Sequence, residues 1–280
     1  MLMSTQALRF AHQLLDARSA GKPLLPPSAS GTISIADGYD IARSVLDIRI
    51  AQGEVPVGRK IGFANRRLRA GDGIDEVEGI PAWATIFDTT VRFAEDNVCI
   101  QSLQGALQPR LQPEIVFKLA KTPDPHASLD GLADCLEWMA HGFEIVISPY
   151  PEWKFEIADA IAGFGLHGAL LVGEPKSLSA ASRHHLANML ADASVSLSCI
   201  DNDDQVLRAA GFGSDVMGSP MYALKRLHRL LQAQPQFAPL SAGEIISTGA
   251  WTEAYPVFPG QTWMSAFAGI GLSGLTVSFV

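Results

Sequence analysis

One segment decides the predicted fold of this chain: Pro109-Arg110-Leu111-Gln112-Pro113-Glu114-Ile115-Val116-Phe117-Lys118-Leu119. Its second half is apolar and rich in β-branched and aromatic side chains, which is typical of a β-strand. Gln112 and Glu114 occupy alternate positions, so on a strand their side chains leave by the same face. That face would present an amide oxygen beside a carboxylate.

A second strand-like run, Phe143-Glu144-Ile145-Val146-Ile147, places another carboxylate in apolar surroundings. Burial of a lone carboxylate is costly unless it is paired or holds a cation. If the two strands are neighbours, Gln112, Glu114 and Glu144 would offer oxygen donors of the kind that Mg²⁺, Mn²⁺ and Ca²⁺ prefer. The alternative is that Glu114 and Glu144 form ordinary ion pairs with Arg or Lys.

The bulk properties describe a globular protein. The chain has 280 residues, 48% hydrophobic and 18% charged, and a formal net charge of −8, which argues against nucleic acid and anionic membranes as partners. No apolar run approaches the roughly 20 residues of a membrane helix, and the N-terminus lacks the features of a signal peptide. Cys99, Cys135 and Cys199 are widely spaced and odd in number, which favours a reducing compartment. We therefore expect a soluble cytoplasmic protein.

The pattern of apolar residues predicts helices before strands. Residues 5–19 have helical spacing, and Ser34 with Asp37 has the form of a capping box before a second helix that ends at Gly53. We predict an N-terminal helical subdomain over residues 1–56 and a second domain of short strands over 57–280. Within the latter, residues 129–139, 181–192 and 221–232 have helical patterns.

The order and spacing of several short motifs resemble the fumarylacetoacetate hydrolase superfamily, in particular its 2-keto-4-pentenoate hydratase and 4-oxalocrotonate decarboxylase branch. That branch has a Glu-x-Glu strand and a third Glu on the next strand as metal ligands; Glu114 and Glu144 match, and Gln112 replaces the first Glu. The resemblance implies an α+β fold with a rolled, mostly antiparallel β-structure, a divalent metal (Mg or Mn, with Ca as a further candidate) and a homo-oligomer. Gln112 keeps an oxygen donor and removes one negative charge.

The same resemblance assigns roles to other residues. The segment Gly58-Arg59-Lys60-Ile61-Gly62 matches one that supplies an active-site lysine, so Lys60 is a catalytic candidate; otherwise it is a surface lysine on an edge strand. Asp88 ends a Phe-Asp segment whose aspartate faces the substrate in the family. Lys154, after Trp153, would bind a substrate carboxylate, or is simply exposed. Thr248 belongs to a Thr-Gly turn that reaches the active site.

His167 follows the stretch Ala162-Gly163-Phe164-Gly165-Leu166, where better-known members of the branch read Ala-Asp-Asn-Ala-Ser. The change removes two polar side chains, and His167 could serve as an acid or base near neutral pH. The alternative is a histidine satisfied within the core. The acidic, glycine-containing segment of residues 70–78 would be a mobile lid over the site or a solvated loop.

The resemblance implies a metal-dependent lyase, a hydratase of a 2-hydroxy-2,4-dienoic or 2-keto-4-pentenoic acid. The alternatives are decarboxylation of a 4-oxalocrotonate-type acid, C–C hydrolysis of a β-diketone acid, and a metal-free relative without catalysis. Gln112 keeps the last alternative open, because it weakens the expected metal site.

Overall fold

The computed structural model of the protein describes residues 4–66, 82–201 and 204–280. The predicted lid segment of residues 70–78 lies outside the described residues. The α-helices are α1 Ser4–Ala20, α2 Ile35–Ala51, α3 Leu129–Asp134, α4 Ile157–Ala162, α5 Ala180–His184, α6 Leu186–Asp192 and α7 Pro220–Gln232. Short 3₁₀ turns lie at Pro27–Ser30, Asp88–Thr90, Pro151–Trp153, Phe164–Leu166 and Gly213–Asp215.

Strands of the described residues form two sheets. They are β1 Pro56–Gly62, β2 Ala82–Phe87, β3 Val91–Phe93, β4 Val98–Gln101, β5 Arg110–Leu119, β6 Leu136–Val146, β7 His167–Val172, β8 Lys176–Ser177, β9 Ser194–Asp201, β10 Asp204–Phe212, β11 Ile245–Ser247, β12 Tyr255–Pro256, β13 Thr262–Ala268 and β14 Thr276–Phe279. The larger sheet has the order β2-β1-β11-β5-β6-β7-β3, with β12 paired to β5 and β8 to β6. The smaller sheet has the order β10-β9-β13-β14-β4.

Most strand pairs are antiparallel, and three described pairs are parallel: β1 with β11, β3 with β7, and β4 with β14. One apolar cluster, which includes Leu111, Phe143, Leu197 and Trp263, takes residues from strands of both sheets. The predicted α+β class, with helices before a mostly antiparallel β-structure, is confirmed.

The two N-terminal helices form where the sequence predicts them. Ser34 accepts a hydrogen bond from the Asp37 backbone N–H, and the Asp37 side chain accepts one from the Ser34 backbone, which completes the predicted capping box. Buried residues of both helices, such as Phe10 and Ile41, join the same apolar cluster as β-strand residues. The division of the chain at residue 56 stays a prediction.

Two predicted helices differ from the structure. The helix over residues 129–139 ends at Asp134, and Leu136 and Met139 belong to β6. Since β6 is buried at every position except Glu137, it carries apolar residues on both faces, and Leu136 and Met139 fall at a spacing that also fits a helix. The helix over 181–192 is divided at His185 into α5 and α6. Within the described ranges, no helix has the length and apolar character needed to cross a bilayer.

The larger sheet brings the candidate residues together through its strand order. Strands β1, β11, β5 and β6 are consecutive neighbours, and Gln112 on β5 is paired with Glu144 on β6. Lys60 on β1 is paired with Ser247 on β11. Gly58 permits the close approach of β1 and β11, because a Cβ there would lie 1.8 Å from the Ile245 carbonyl oxygen.

Candidate active site

Two carboxylates and one amide form the centre of the site. Glu114 and Glu144 are both fully buried, with 0% exposure. Gln112 donates hydrogen bonds from the same nitrogen, Nε2, to Glu114 Oε1 at 3.0 Å and to Glu144 Oε2 at 2.9 Å. The predicted convergence of these three side chains is therefore present, and the amide lies between the two acids.

Glu144 is surrounded by positive and polar partners. Lys60 Nζ lies 2.9 Å from Glu144 Oε2, and His167 Nδ1 lies 2.8 Å from Oε1. Burial disfavours ionisation of Glu144, but the Lys60 ammonium and the His167 hydrogen bond outweigh burial and hold its pKa below the usual range. Glu144 is thus the carboxylate that stays ionised.

Glu114 has the opposite electrostatic environment. Burial, and then the nearby charge of Glu144, raise the pKa of Glu114. The Ser247 hydroxyl and the Gly249 backbone N–H, the latter at 2.9 Å, both donate to Glu114 Oε2 and oppose that rise. The pair therefore differs in proton affinity, and a cation bound between the two acids would favour ionisation of both.

Lys60 is held by backbone as well as by charge. It is 3% exposed, and its ammonium donates to the carbonyl oxygen of Gly165 at 2.9 Å. Gly165 has a left-handed φ of 62°, and a Cβ there would lie 3.0 Å from both Ala84 Cβ and Lys60 Cδ. Glycine is required at this position because a side chain would press on the lysine that the carbonyl orients.

A cavity of about 230 Å³ opens beside this cluster. Lys60 and Gln112 lie on its wall, together with Asn65 and small glycine and alanine residues. The rest of its described wall is mainly apolar: Phe63, Val146, Trp153, Phe155, Leu166, Ala250 and Ala254. We call this space the site cavity; it combines a charged end with apolar walls, as small-molecule sites commonly do.

Backbone strain is concentrated around the site cavity. Phe63, Trp153 and Leu166 line it and have left-handed φ values of 57°, 59° and 59°. Phe164, beside Gly165, has a φ of 61°. Non-glycine residues seldom adopt this conformation, and such outliers cluster at functional sites.

The chemistry of the donor set is compatible with a divalent metal. Among the described residues, no group of three or more His, Cys, Asp and Glu side chains is arranged to hold a metal ion. The donor set here has two carboxylates, and its third member is an amide. The two carboxylates nevertheless converge on one atom, Gln112 Nε2. Rotation of the amide would replace this nitrogen by its oxygen, and the carboxylate repulsion would be relieved by a cation. The residues fit a hard divalent ion.

Other predicted site residues lie elsewhere. Asp88 is exposed, and its Oδ1 accepts from the backbone N–H groups of Val55 and Thr89 at 3.0 and 2.9 Å. The side chain of Lys154 is 80% exposed and forms an ion pair with Glu152. Neither residue lines the site cavity.

Thr248 and His167 are buried close to the cluster but do not line the cavity. Thr248 donates its hydroxyl to the Ile115 carbonyl at 2.8 Å, which connects the Thr-Gly turn to β5. Both ring nitrogens of His167 are engaged, Nδ1 by Glu144 and Nε2 by the Thr90 hydroxyl at 3.0 Å. Burial lowers the pKa of His167 against the pull of Glu144. These contacts favour a supporting role for both residues.

Sequence reasoning missed Ser247 and Thr90. Ser247 lies next to the proposed Thr248, and on a strand its side chain projects to the face opposite that of Thr248, where its hydroxyl meets Glu114. Alternation could have indicated Ser247. Thr90 gave no signal, because its contact with His167 joins distant parts of the chain.

Comparisons with known proteins find relatives that match nearly the whole chain. No family model matches the chain. It is 28% identical to a 2-hydroxyhexa-2,4-dienoate hydratase of Comamonas testosteroni over 274 residues, covering 96% of this chain and 95% of the relative. It is also 28% identical to a 4-oxalocrotonate decarboxylase of a Pseudomonas species, covering 90% of each chain. Among solved structures, 4-oxalocrotonate decarboxylase from Pseudomonas putida G7, complexed with magnesium and adipate, superposes with a TM-score of 0.84 at 21% identity, covering 100% of this chain and 99% of the other.

A more distant neighbour connects the fold to the wider group. Fumarylpyruvate hydrolase from Pseudomonas aeruginosa, in complex with Mn²⁺ and pyruvate, has a TM-score of 0.54 at 15% identity and covers 81% of this chain and 90% of that one. The chain is thus similar to hydratases and a decarboxylase of this branch at 25–28% identity, and it shares the fold of the fumarylacetoacetate hydrolase family. This similarity confirms the resemblance inferred from the motifs. The roles of individual residues stay proposals.

Proposed function

We propose that this protein is a divalent-metal-dependent hydratase of a small 2-hydroxy-2,4-dienoic acid. The observation that carries the proposal is the Gln112, Glu114 and Glu144 cluster, which lies with Lys60 at the charged end of an otherwise apolar cavity. Hydratases of such dienoates are similar to this chain over nearly its whole length. The hydrocarbon part of a dienoate suits the apolar walls.

The carboxylates of Glu114 and Glu144, with the amide oxygen of Gln112 after rotation, would hold the metal. A bound ion would supply Lewis acidity toward a 2-oxygen and a 1-carboxylate, and it would stabilise enolate charge. Mg²⁺ and Mn²⁺ are the preferred candidates, with Ca²⁺ as a third, since all three accept oxygen donors.

The chain's own residues would move protons and exclude water. Lys60 Nζ lies on the cavity wall and can give or take a proton at the substrate, while Glu144 and the Gly165 carbonyl fix its position. His167 would act as a positioning residue, because it orients Glu144 and does not line the cavity. Phe155, Trp153 and Leu166 would pack against the hydrocarbon chain and limit bulk water to the molecule that adds.

The net reaction adds one water to the dienol and yields a 4-hydroxy-2-oxo acid. The enol proton leaves the 2-oxygen and a carbon at the far end of the diene takes up a proton, which gives a 2-oxo-3-enoate. Water then bonds to C4 through oxygen, and C3 receives a proton. Decarboxylation of a related diacid would use the same enolate stabilisation and is the competing activity. We also propose a homo-oligomer, as the resemblance implies.

The test is turnover of 2-hydroxypenta-2,4-dienoate, followed by loss of its ultraviolet absorbance with MgCl₂ and with EDTA. Formation of 4-hydroxy-2-oxopentanoate, identified by NMR and dependent on metal, is the expected result. Release of CO₂ from 4-oxalocrotonate with no hydration of the dienoate would identify a decarboxylase instead. Absence of both reactions with Mg²⁺ and Mn²⁺ would refute the proposal and favour a binding protein.

A further inference from the structure

Trp153 separates the site cavity from a second, more exposed cavity of about 390 Å³. Its indole lines both cavities, and on the far side the Arg110 guanidinium lies 4.3 Å from the ring centroid. We call this second space the Arg110 cavity. A cation thus lies just behind one wall of the proposed substrate site.

Arg110 is on the face of β5 that carries the site. It occupies an alternate position with Gln112 and Glu114, so its side chain leaves the strand in the same direction. Across the sheet it is paired with Val146, which lines the site cavity. Among the described residues, no carboxylate lies within ion-pair distance of Arg110. Its guanidinium is therefore available to a ligand carboxylate that could reach it.

Trp153 is held firmly in this dividing position. Its backbone is left-handed, as is that of Glu152, with φ values of 59° and 56°. Its Nε1 donates to the Gln108 carbonyl at 3.2 Å, and its ring lies 6.2 Å from that of Phe155. Such strained backbone persists only where the surroundings enforce it, so the indole is a fixed wall.

Charge determines what the site cavity can accept. Of the described residues that line it, Lys60 carries the only cationic side chain, and Lys60 already lies 2.9 Å from Glu144. A second carboxylate at the far end of a substrate would be buried against apolar wall without a partner, which is strongly unfavourable. Lys154 follows Trp153 in the chain, but its side chain points into solvent and is paired with Glu152.

Resting on the function proposed above, we infer that Trp153 is the specificity-determining residue that restricts the site to 2-oxo and 2-hydroxydienoic monocarboxylates with an apolar end. It does so by screening Arg110 from the substrate. Removal of the indole joins the two cavities, exposes the guanidinium to the distal end of the ligand and admits a dicarboxylate of the same carbon length.

The test is calorimetric binding of a matched pair of stable acids in the presence of Mg²⁺. The probes are 2-oxohexanoate and 2-oxohexanedioate, which have the same number of carbons and differ at C6, a methyl group in one and a carboxylate in the other. The proteins are wild type, Trp153→Ala, Arg110→Gln and the double variant. The measured quantity is the ratio of the dissociation constants of the two acids for each protein. A charge-assisted hydrogen bond from Arg110 to the C6 carboxylate should change this ratio by about tenfold or more between wild type and Trp153→Ala.

We expect wild type and Arg110→Gln to bind the monoacid at least about tenfold more tightly than the diacid. Trp153→Ala should bind the diacid as tightly as the monoacid or more tightly. The double variant, which also carries Arg110→Gln, should again prefer the monoacid. Trp153→Leu, which keeps an apolar side chain of smaller size, should shift the ratio in the same direction and serves if the alanine variant fails to fold.

Several results would overturn the inference. They are equal binding of the two acids by wild type, an unchanged ratio in both Trp153 variants, and a gain in diacid binding that persists without Arg110. The last result would point to another cation, such as Lys154. If wild type binds neither acid with Mg²⁺ present, the proposed function fails, and the inference fails with it.

Discussion

Gln112→Glu tests the electrostatic account of the cluster, because it restores the Glu-x-Glu pattern. Gln112 Nε2 donates to both acids, at 3.0 and 2.9 Å. A carboxylate there would lie about 3 Å from the ionised Glu144, a repulsion of about 5 kcal/mol at an effective dielectric constant of 20. Uptake of a proton limits the cost, but a carboxyl group donates one hydrogen bond where the amide donates two. Without metal, we therefore expect Gln112→Glu to lower the free energy of unfolding by about 3 kcal/mol.

This loss should appear as a lower thermal midpoint in EDTA, by roughly 5–10 °C for a chain of this size. With divalent metal, the variant should become the more stable of the two proteins. Gln112→Glu should bind Mn²⁺ at least about tenfold more tightly than wild type, and its thermal midpoint should rise more on binding. Thermal scans with EDTA and with MnCl₂, together with calorimetry, measure both effects. Gln104→Glu adds the same charge at an exposed position and serves as the control. Equal metal-free stability and unchanged metal affinity in Gln112→Glu would refute the reasoning.

Two further predictions concern Lys60 and a buried histidine. Lys60→Met should lower kcat/KM for the dienoate by about 10²–10⁴-fold, the usual contribution of a positioned acid or base, whereas the partly exposed Lys118→Met should not; similar losses in both would remove Lys60 from the mechanism. Burial lowers the pKa of His141 from 6.5 to about 3, so between these values the unfolded state binds more protons and stability falls with falling pH, by about 1.4 kcal/mol per pH unit. The free energy of unfolding, measured with urea at several pH values, should fall less steeply with acid in His141→Asn than in wild type. The exposed His126→Asn should behave like wild type, and an unchanged pH profile in His141→Asn would contradict the assignment.

The fold was largely predictable from local pattern and motif order. The capping box of Ser34 and Asp37 and the alternation of Gln112 and Glu114 depend on neighbours in sequence, and both are present in the structure. Periodicity failed at Leu136 and Met139, because a strand buried on both faces has apolar residues on both and lacks the strict alternation of a half-buried strand. There, burial and not local propensity determines the pattern.

The site was predictable only in part, since its details depend on contacts between distant segments. Asp88 accepts two backbone hydrogen bonds in a turn, a role that a short acidic side chain fills as readily as substrate binding. The indole of Trp153 divides two cavities, which no pattern of neighbouring residues indicates. The motif therefore located the acids and the lysine, while the wall to which we assign specificity required the structure.

The central claim, that buried acids hold a divalent ion for enolate chemistry, is tested most directly by calorimetric titration of Mn²⁺ with and without oxalate. Oxalate has the adjacent oxygens of a 2-oxo acid and should bind to the metal-loaded site. Wild type should bind Mn²⁺, and oxalate should make that binding tighter. Glu114→Ala should lose both the binding and its strengthening by oxalate. Glu114 lies at the centre of the cluster, where it accepts hydrogen bonds from Gln112, Ser247 and Gly249. Absence of binding to wild type at millimolar Mn²⁺, with or without oxalate, would contradict the account.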